Sequence, residues 1–415
     1  MTPLAIILLI ILIALFNLDL IATLLNLKVS RPELPEEFAD VFDEQKYQES
    51  QRYTQANSKF HIASSIFSLF TLITFWLCGG FVWLDNFVTN MGYGQIITGL
   101  IYLGLLFAGN LVLSLPFDIY STFILEKKFG FNTTSPTTFI TDQVKSLVLA
   151  VLLGLPVIAL LLWIFSTVEN AWLWAWISIT IVSLLLTYLA PTYIMPLFNK
   201  FTPLEDGELK TEIEAMSKKC DFPLTELFII DGSKRSTKAN AFFTGFGKQK
   251  KIALYDTLIK EQSIPELVGV LAHEIGHFKC KHIIQRVVLS VVQLAVIFYL
   301  IGIFTSPDTV VSRAIYEAFG FTNSQPLYVG FALFGILFQP VSFLIGLAMN
   351  RWSRKHEFEA DNYAKVHQGT PDHLISALKK LSAQNLSNLT PHPLLVFLEY
   401  SHPPVLQRIK ALRKG

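Results

Sequence analysis

The sequence predicts a mainly α-helical, polytopic membrane protein with seven transmembrane helices and a cytoplasmic-side region containing a small β-sheet. Three observations carry this. The 415 residues are 52% hydrophobic and 16% charged, with mean hydropathy +0.46, whereas a soluble domain carries about 25% charged residues. Seven stretches are long and apolar enough to cross a hydrocarbon core of about 30 Å. A segment of soluble composition, 196–286, interrupts them.

The spans fall near 4–27, 62–84, 95–116, 146–166, 171–195, 287–304 and 327–349. The first lacks a basic leading region and a small-residue cleavage site, so it reads as a retained helix rather than a signal peptide. The polar, acidic segment 29–61 carries Pro32 and Pro35 and then an expected helix over Glu36–Gln55. Spans four and five are separated only by Ser166–Asn170, a tight helical hairpin. In 196–286 a charged helix is expected around Glu205–Lys219. Two β-rich runs follow, Glu226–Ile230 and Ala239–Tyr255, and then a helix from Pro265. After span seven, Met349–Lys365 continues as a helix, first basic and then acidic, and Pro404–Leu412 forms a last one. The expected organisation is 1–195 with five spans, 196–286 as the soluble-type region, 287–349 with two further spans, and 350–415 as the remainder of the soluble-type region.

A net charge of +1 gives no reason to expect nucleic acid. The placement of Lys and Arg is more telling. Five lie in 28–61, three between spans three and four, fourteen in 196–286 and ten in 350–415, leaving only Arg313 for the other side. The positive-inside rule then puts the N-terminus outside and the C-terminus in the cytoplasm. Cys78 falls in a predicted span, and Cys220 and Cys280 on the cytoplasmic side, so no disulfide framework is expected. The sequons at Asn132, Asn385 and Asn388 fall on the cytoplasmic side too.

The chemistry centres on His273-Glu274-Ile275-Gly276-His277, set in the apolar run Leu267–Ala272. Residues four apart share a helix face, so both imidazoles can point at one metal ion. Glu274, one position along, can reach a water held there: the zincin pattern of two ligands and a general base. Two histidines and a water leave a zinc site one protein ligand short. In a gluzincin that ligand is a carboxylate from a downstream helix, and a second carboxylate one turn later receives the far N–H of a ligand histidine. Glu357 fits the first role and Asp361 the second, while Glu359 points elsewhere on the helix. The plain alternative is a charged juxtamembrane helix with Arg354 near Asp361. His402, in the rigid turn Tyr400–Pro404, is suited to donating a hydrogen bond to an oxyanion. His61, His282, His356, His367, His373 and His392 read as structural or exposed. Ser236–Gly247 reads as a strand and a turn, with Lys250–Leu254 as hairpin partner. An open edge there would accept an extended peptide by strand addition.

Together these residues resemble the membrane-integrated zinc proteases of the CAAX prenyl protease 1 type, the a-factor-converting-enzyme family. The likeness spans nearly the whole chain: seven spans, AHEIGHFKCKH at 272–282, SRKHEFEADNYA at 353–364, NAFFTGFG at 240–247 and SHPPVLQRIKAL at 401–412. It implies one Zn2+ per chain held by His273, His277 and Glu357, with Glu274 as catalytic base and Asp361 supporting a ligand histidine. His402 would stabilise the oxyanion, and Arg408 would pair with Glu357 or the substrate. Asn240, with the following strand residues Ala241, Phe242 and Phe243, would contact the substrate backbone. A water-filled chamber enclosed by the seven helices is also implied, which would explain Asp19 and Asn110 within spans. The implied substrate is a prenylated CAAX peptide that loses its last three residues, its lipid lying against the chamber walls. The membrane would be that of the endoplasmic reticulum or the bacterial inner membrane. Two rivals remain: a quality-control zinc protease degrading misfolded membrane proteins, and a transporter with a regulatory zinc site, for which Glu274 would have no purpose.

Overall fold

The structure is a computed structural model that describes residues 1–29, 33–244, 250–307 and 309–414, with backbone only at 241–244 and 250. The expected turn after Thr244, with Phe246, lies outside the described residues, as does Pro32. Helix α1 (Pro3–Lys28) begins at Thr2, whose hydroxyl accepts from the Ala5 N–H at 3.2 Å. Helix α2 (Glu44–Leu77) begins at Asp43, whose carboxylate accepts from the Lys46 N–H at 2.7 Å, and runs unbroken from polar sequence into the membrane. This corrects the helix expected over Glu36–Gln55. Residues Glu36–Phe38 form only a 3-10 turn, because the cap that starts the helix is Asp43. Span two is also shorter than expected. Gly79 adopts φ +73°, a conformation glycine takes at little cost, and α3 (Gly80–Thr89) leaves as a separate helix.

Helix α4 (Gln95–Tyr120) passes through Pro116 into a π-turn at Ser121–Glu126. Helices α5 (Pro136–Leu149) and α6 (Leu155–Thr167) form one crossing joined by a π-turn. Asn170, at φ +53°, reverses the chain into α7 (Ala171–Leu189), the hairpin expected between spans four and five. There follow β1 (Phe201–Pro203), α8 (Glu208–Lys219), β2 (Leu224–Ile230), β3 (Ala241–Thr244) and β4 (Lys250–Tyr255). The sheet order is β1-β2-β4-β3, with β2 and β4 parallel and the outer pairs antiparallel. The expected hairpin is therefore present, and β3 is an edge strand.

After α9 (Asp256–Glu261), helix α10 (Ile264–Lys279) opens on a capping box of Ser263 and Glu266. It stops at Cys280, and Lys281 at φ +60° turns the chain directly into α11 (His282–Thr305), span six. Helix α12 (Val310–Ala318) precedes α13 (Leu327–Leu337) and α14 (Gln339–Gln368), a pair bent by 47° that makes the seventh span. Beyond Met349, α14 is polar. Helices α15 (Asp372–Gln384), α16 (Pro393–Glu399) and α17 (Val405–Arg413) complete the fold.

The bundle is hollow. Only 6–17% of the apolar window in each of six spans is buried within the protein, leaving the rest to face lipid or the chamber. A cavity of about 920 Å³ opens between α2, α3, α4 and α13, walled by Phe67, Leu72, Leu106 and Leu113 and containing Asn110. Asp19 on α1 meets His61 on α2, at 3.0 Å from Nε2. Both intramembrane polar residues thus face a cavity or a partner. The soluble-side core joins Leu267, Leu271 and Ile275 of α10 to Ile252 and Leu254 of β4, Leu374 and Leu378 of α15 and Ile409 of α17. Residues from the start of the chain join it too: Phe38 and Phe42 pack into this core, and Glu37 accepts from Arg413 of α17 at 2.8 Å.

Helices α10 and α14 meet at Gly276, where an added Cβ would lie 3.0 Å from both Cα and O of Ala360. Those are backbone atoms and cannot rotate away. Gly276→Ala should therefore destabilise by about 1–3 kcal/mol and push the helices that carry the motif apart. Thermal unfolding and metal content of the purified variant test this; an unchanged melting point would mean the helices have slack.

Candidate active site

Helix α10 presents His273, Glu274 and His277, and α14 presents Glu357, to a cavity of about 450 Å³. Asn240, His402 and Arg408 line the same cavity, with Val270, Leu374, Leu378 and Leu381 as an apolar wall. The Nε2 atoms of His273 and His277 are 3.2 Å apart. Glu357 Oε1 lies 3.3 Å from the Nε2 of His277, and Oε2 lies 3.5 Å from that of His273. Ligands about 2.0–2.1 Å from a tetrahedral zinc stand roughly 3.3 Å from each other, so these atoms have the spacing of three corners of such a site. Glu357 Oε2 is also buried without a hydrogen bond. With neutral imidazoles, the three carboxylates of Glu274, Glu357 and Asp361 outnumber the two guanidiniums of Arg408 and Arg286, a deficit that suits a cation. The residues present fit a metal.

The electrostatics agree. Burial pushes the His273 imidazole down, but the carboxylates of Asp361 and Glu357 beside it outweigh that and bring the pKa up to about 9. Burial likewise raises the Glu357 carboxyl, yet His273, His277 and the Arg408 charge hold it well below the usual carboxylate range.

Asp361 Oδ1 lies 2.9 Å from His273 Nδ1. Arg408 grips the same carboxylate with two bonds, from Nε at 2.8 Å and Nη2 at 2.6 Å, and its Nη1 lies 3.4 Å from Glu357. The partner expected for Arg408 was Glu357 or substrate; its closest partner is Asp361. Arg354 stays away from Asp361 and donates instead to the Val396 and Tyr400 carbonyls, tying α14 to α16. His402 Nε2 lies 3.5 Å from Glu357 Oε1, and its Nδ1 lies 3.0 Å from the Ser401 hydroxyl. With Ser401 donating, the ring proton sits on Nε2 and faces the site. Asn240 precedes edge strand β3, whose backbone runs through Ala241, Phe242 and Phe243; those three side chains lie outside the described residues.

Of the two alternatives read for His282, structural or exposed, the structure shows a buried residue behind a metal-facing histidine. It is 1% exposed, and its Nδ1 lies 2.9 Å from His277 Nδ1. With His277 offering Nε2 to a metal, its Nδ1–H would donate to His282, whose Nε2–H would in turn donate to Glu359, 2.9 Å away. His356 is also buried, stacked on His282 with centroids 3.8 Å apart. Each metal-facing histidine thus has its own backing, Asp361 and Arg408 behind one, His282 and Glu359 behind the other. Removing such a partner costs about 10–100-fold in metal affinity. His282→Ala should show that loss in chelator competition while the fold is retained.

Comparison with known proteins agrees with this geometry. Residues 23–200 match the family model for the CAAX prenyl protease N-terminal region of five membrane helices, and residues 203–415 match peptidase family M48. CAAX prenyl protease 1 of Saccharomyces cerevisiae is 38% identical, over 93% of this chain and 89% of its own length. The Mus musculus homologue is 33% identical over 92% of this chain and 89% of its own. The crystal structure of S. mikatae Ste24p superposes with a TM-score of 0.92 at 35% identity, covering 100% of both chains. A multi-pass helical chamber, a metal-ready His-His-Glu cluster and these matches lead to one conclusion: this chain belongs to peptidase family M48, as an integral-membrane metallopeptidase of the CAAX prenyl protease 1 type.

Proposed function

We propose that this protein is a zinc-dependent endopeptidase that removes the last three residues of prenylated CAAX-type peptides. The observation carrying this is the convergence of His273, His277, Glu357 and Glu274 in one cavity beside a hollow, apolar-walled bundle. One zinc per chain would be held by His273, His277 and Glu357, and when bound it lowers the pKa of a water towards about 7 and polarises the scissile carbonyl. Glu274 takes the proton from the attacking water and delivers it to the leaving amine. His402 donates its Nε2–H to the oxyanion. Asp361, held by Arg408, fixes the tautomer of His273. Asn240 and the free edge of β3 hold the peptide backbone by strand addition. Leu374, Leu378 and Leu381 offer aliphatic side chains an apolar wall, and the larger cavity among the spans accommodates the lipid. The Lys and Arg distribution supports an N-terminus outside or lumenal and a C-terminus in the cytoplasm. The relatives' likeness supports the endoplasmic reticulum membrane.

The test is cleavage of a farnesylated CAAX peptide by purified, zinc-loaded protein in detergent, with products identified by mass. Release of a tripeptide is the expected result. No cleavage by zinc-loaded protein would overturn the substrate assignment and favour a quality-control role.

A further inference from the structure

Arg286 is the fifth residue of α11 and lines the same cavity as His273, Glu274 and His277. Among the described residues the cavity has two cations, and they differ in kind. Arg408 is buried and committed to Asp361 and Glu357. Arg286 is exposed, and among the described residues no carboxylate lies within ion-pairing distance of it and its one hydrogen bond runs from Nη2 to the Ser353 hydroxyl at 3.3 Å. A guanidinium with open donors beside a metal site lacks an anionic partner, and its fork matches a carboxylate.

Its position sets a distance. His282 touches His277, and Arg286 is four residues further, on the same face of α11 and about 6 Å along it. A tripeptide extending from the scissile bond spans about 10 Å, which brings its terminal carboxylate within range of such a side chain. The carboxylate also needs a cation here, since Glu274 and Glu357 would otherwise repel it. A lipid phosphate is the other anion near a membrane surface, but a headgroup at Arg286 would fill the cavity that the peptide must enter.

We propose that Arg286 binds the free C-terminal carboxylate of the substrate and so sets the length of the fragment released. This rests on the CAAX-peptide reading. The test is binding of one aliphatic tripeptide, as free acid and as C-terminal amide, to zinc-loaded Glu274→Gln protein, which needs no turnover. The acid should bind about ten- to a hundredfold more tightly. Adding Arg286→Gln should weaken the acid to the level of the amide and leave the amide unchanged, with zinc content intact. Equal binding of acid and amide to the Glu274→Gln protein overturns the proposal without any change at Arg286. So does a preference that survives Arg286→Gln, or a loss equal for both ligands and reversed by anionic lipid. Failure to cleave the farnesylated peptide while the acid is still preferred would remove the substrate reading and leave the carboxylate site standing.

Discussion

Glu274→Gln should retain its metal and lose about 10²–10⁴-fold or more in turnover. The amide has nearly the size of the carboxylate but cannot take a proton from water. Glu274 also stands outside the cluster of His273, His277 and Glu357, so the donor set is left whole. Metal per chain and initial rate, measured on the same preparation, separate the two roles. Retained activity would remove Glu274 as base, and lost metal would make it a ligand. His277→Ala offers the converse, with metal and activity lost together.

Arg408→Ala should be the most destabilising single change at the site. Asp361 and Glu357 are each 2% exposed, and Arg408 is their shared counter-charge. Breaking a buried pair by removing one member costs about 3–5 kcal/mol, because the remaining charge has no solvent to replace it. The melting point should fall by on the order of 10 °C in the metal-free protein. Bound zinc should recover part of that, since a divalent cation beside Glu357 restores the balance. Arg408→Lys keeps the charge but not the fork on Asp361 and should fall between. If the cost comes from stranded charge, Asp361→Asn added to Arg408→Ala should restore stability. If it comes from lost packing, the double variant should be no better than the single.

The parts legible in the sequence were those with a strong local period. Seven apolar runs announce seven spans, and the i,i+4 rule places His273 with His277 and Glu357 with Asp361. What could not be read depended on contacts between elements. Residues 44–61 are too polar to look like part of a span, yet they continue α2, because Asp43 supplies the cap. Strand β1 is three residues long and gains its partner only from β2. His282 is five residues from His277, off the helical face rule, and the break at Lys281 is what turns its ring back. Glu359 does point away from the cavity defined by Glu357, but α11 returns to meet it there. Arg408 was legible as a participant through its motif, though not its grip on Asp361, which depends on how α17 docks.

Arg413 of α17 is tied to Glu37, in the segment between α1 and α2, across 376 residues of sequence. Contacts of such long range form late, because the loop they close must first be made. Asp361 lacks its two bonds from Arg408 until α17 docks, so a chain that has inserted all seven spans still holds an unfinished site. The catalytic cluster is therefore complete only once α17 has docked against α14.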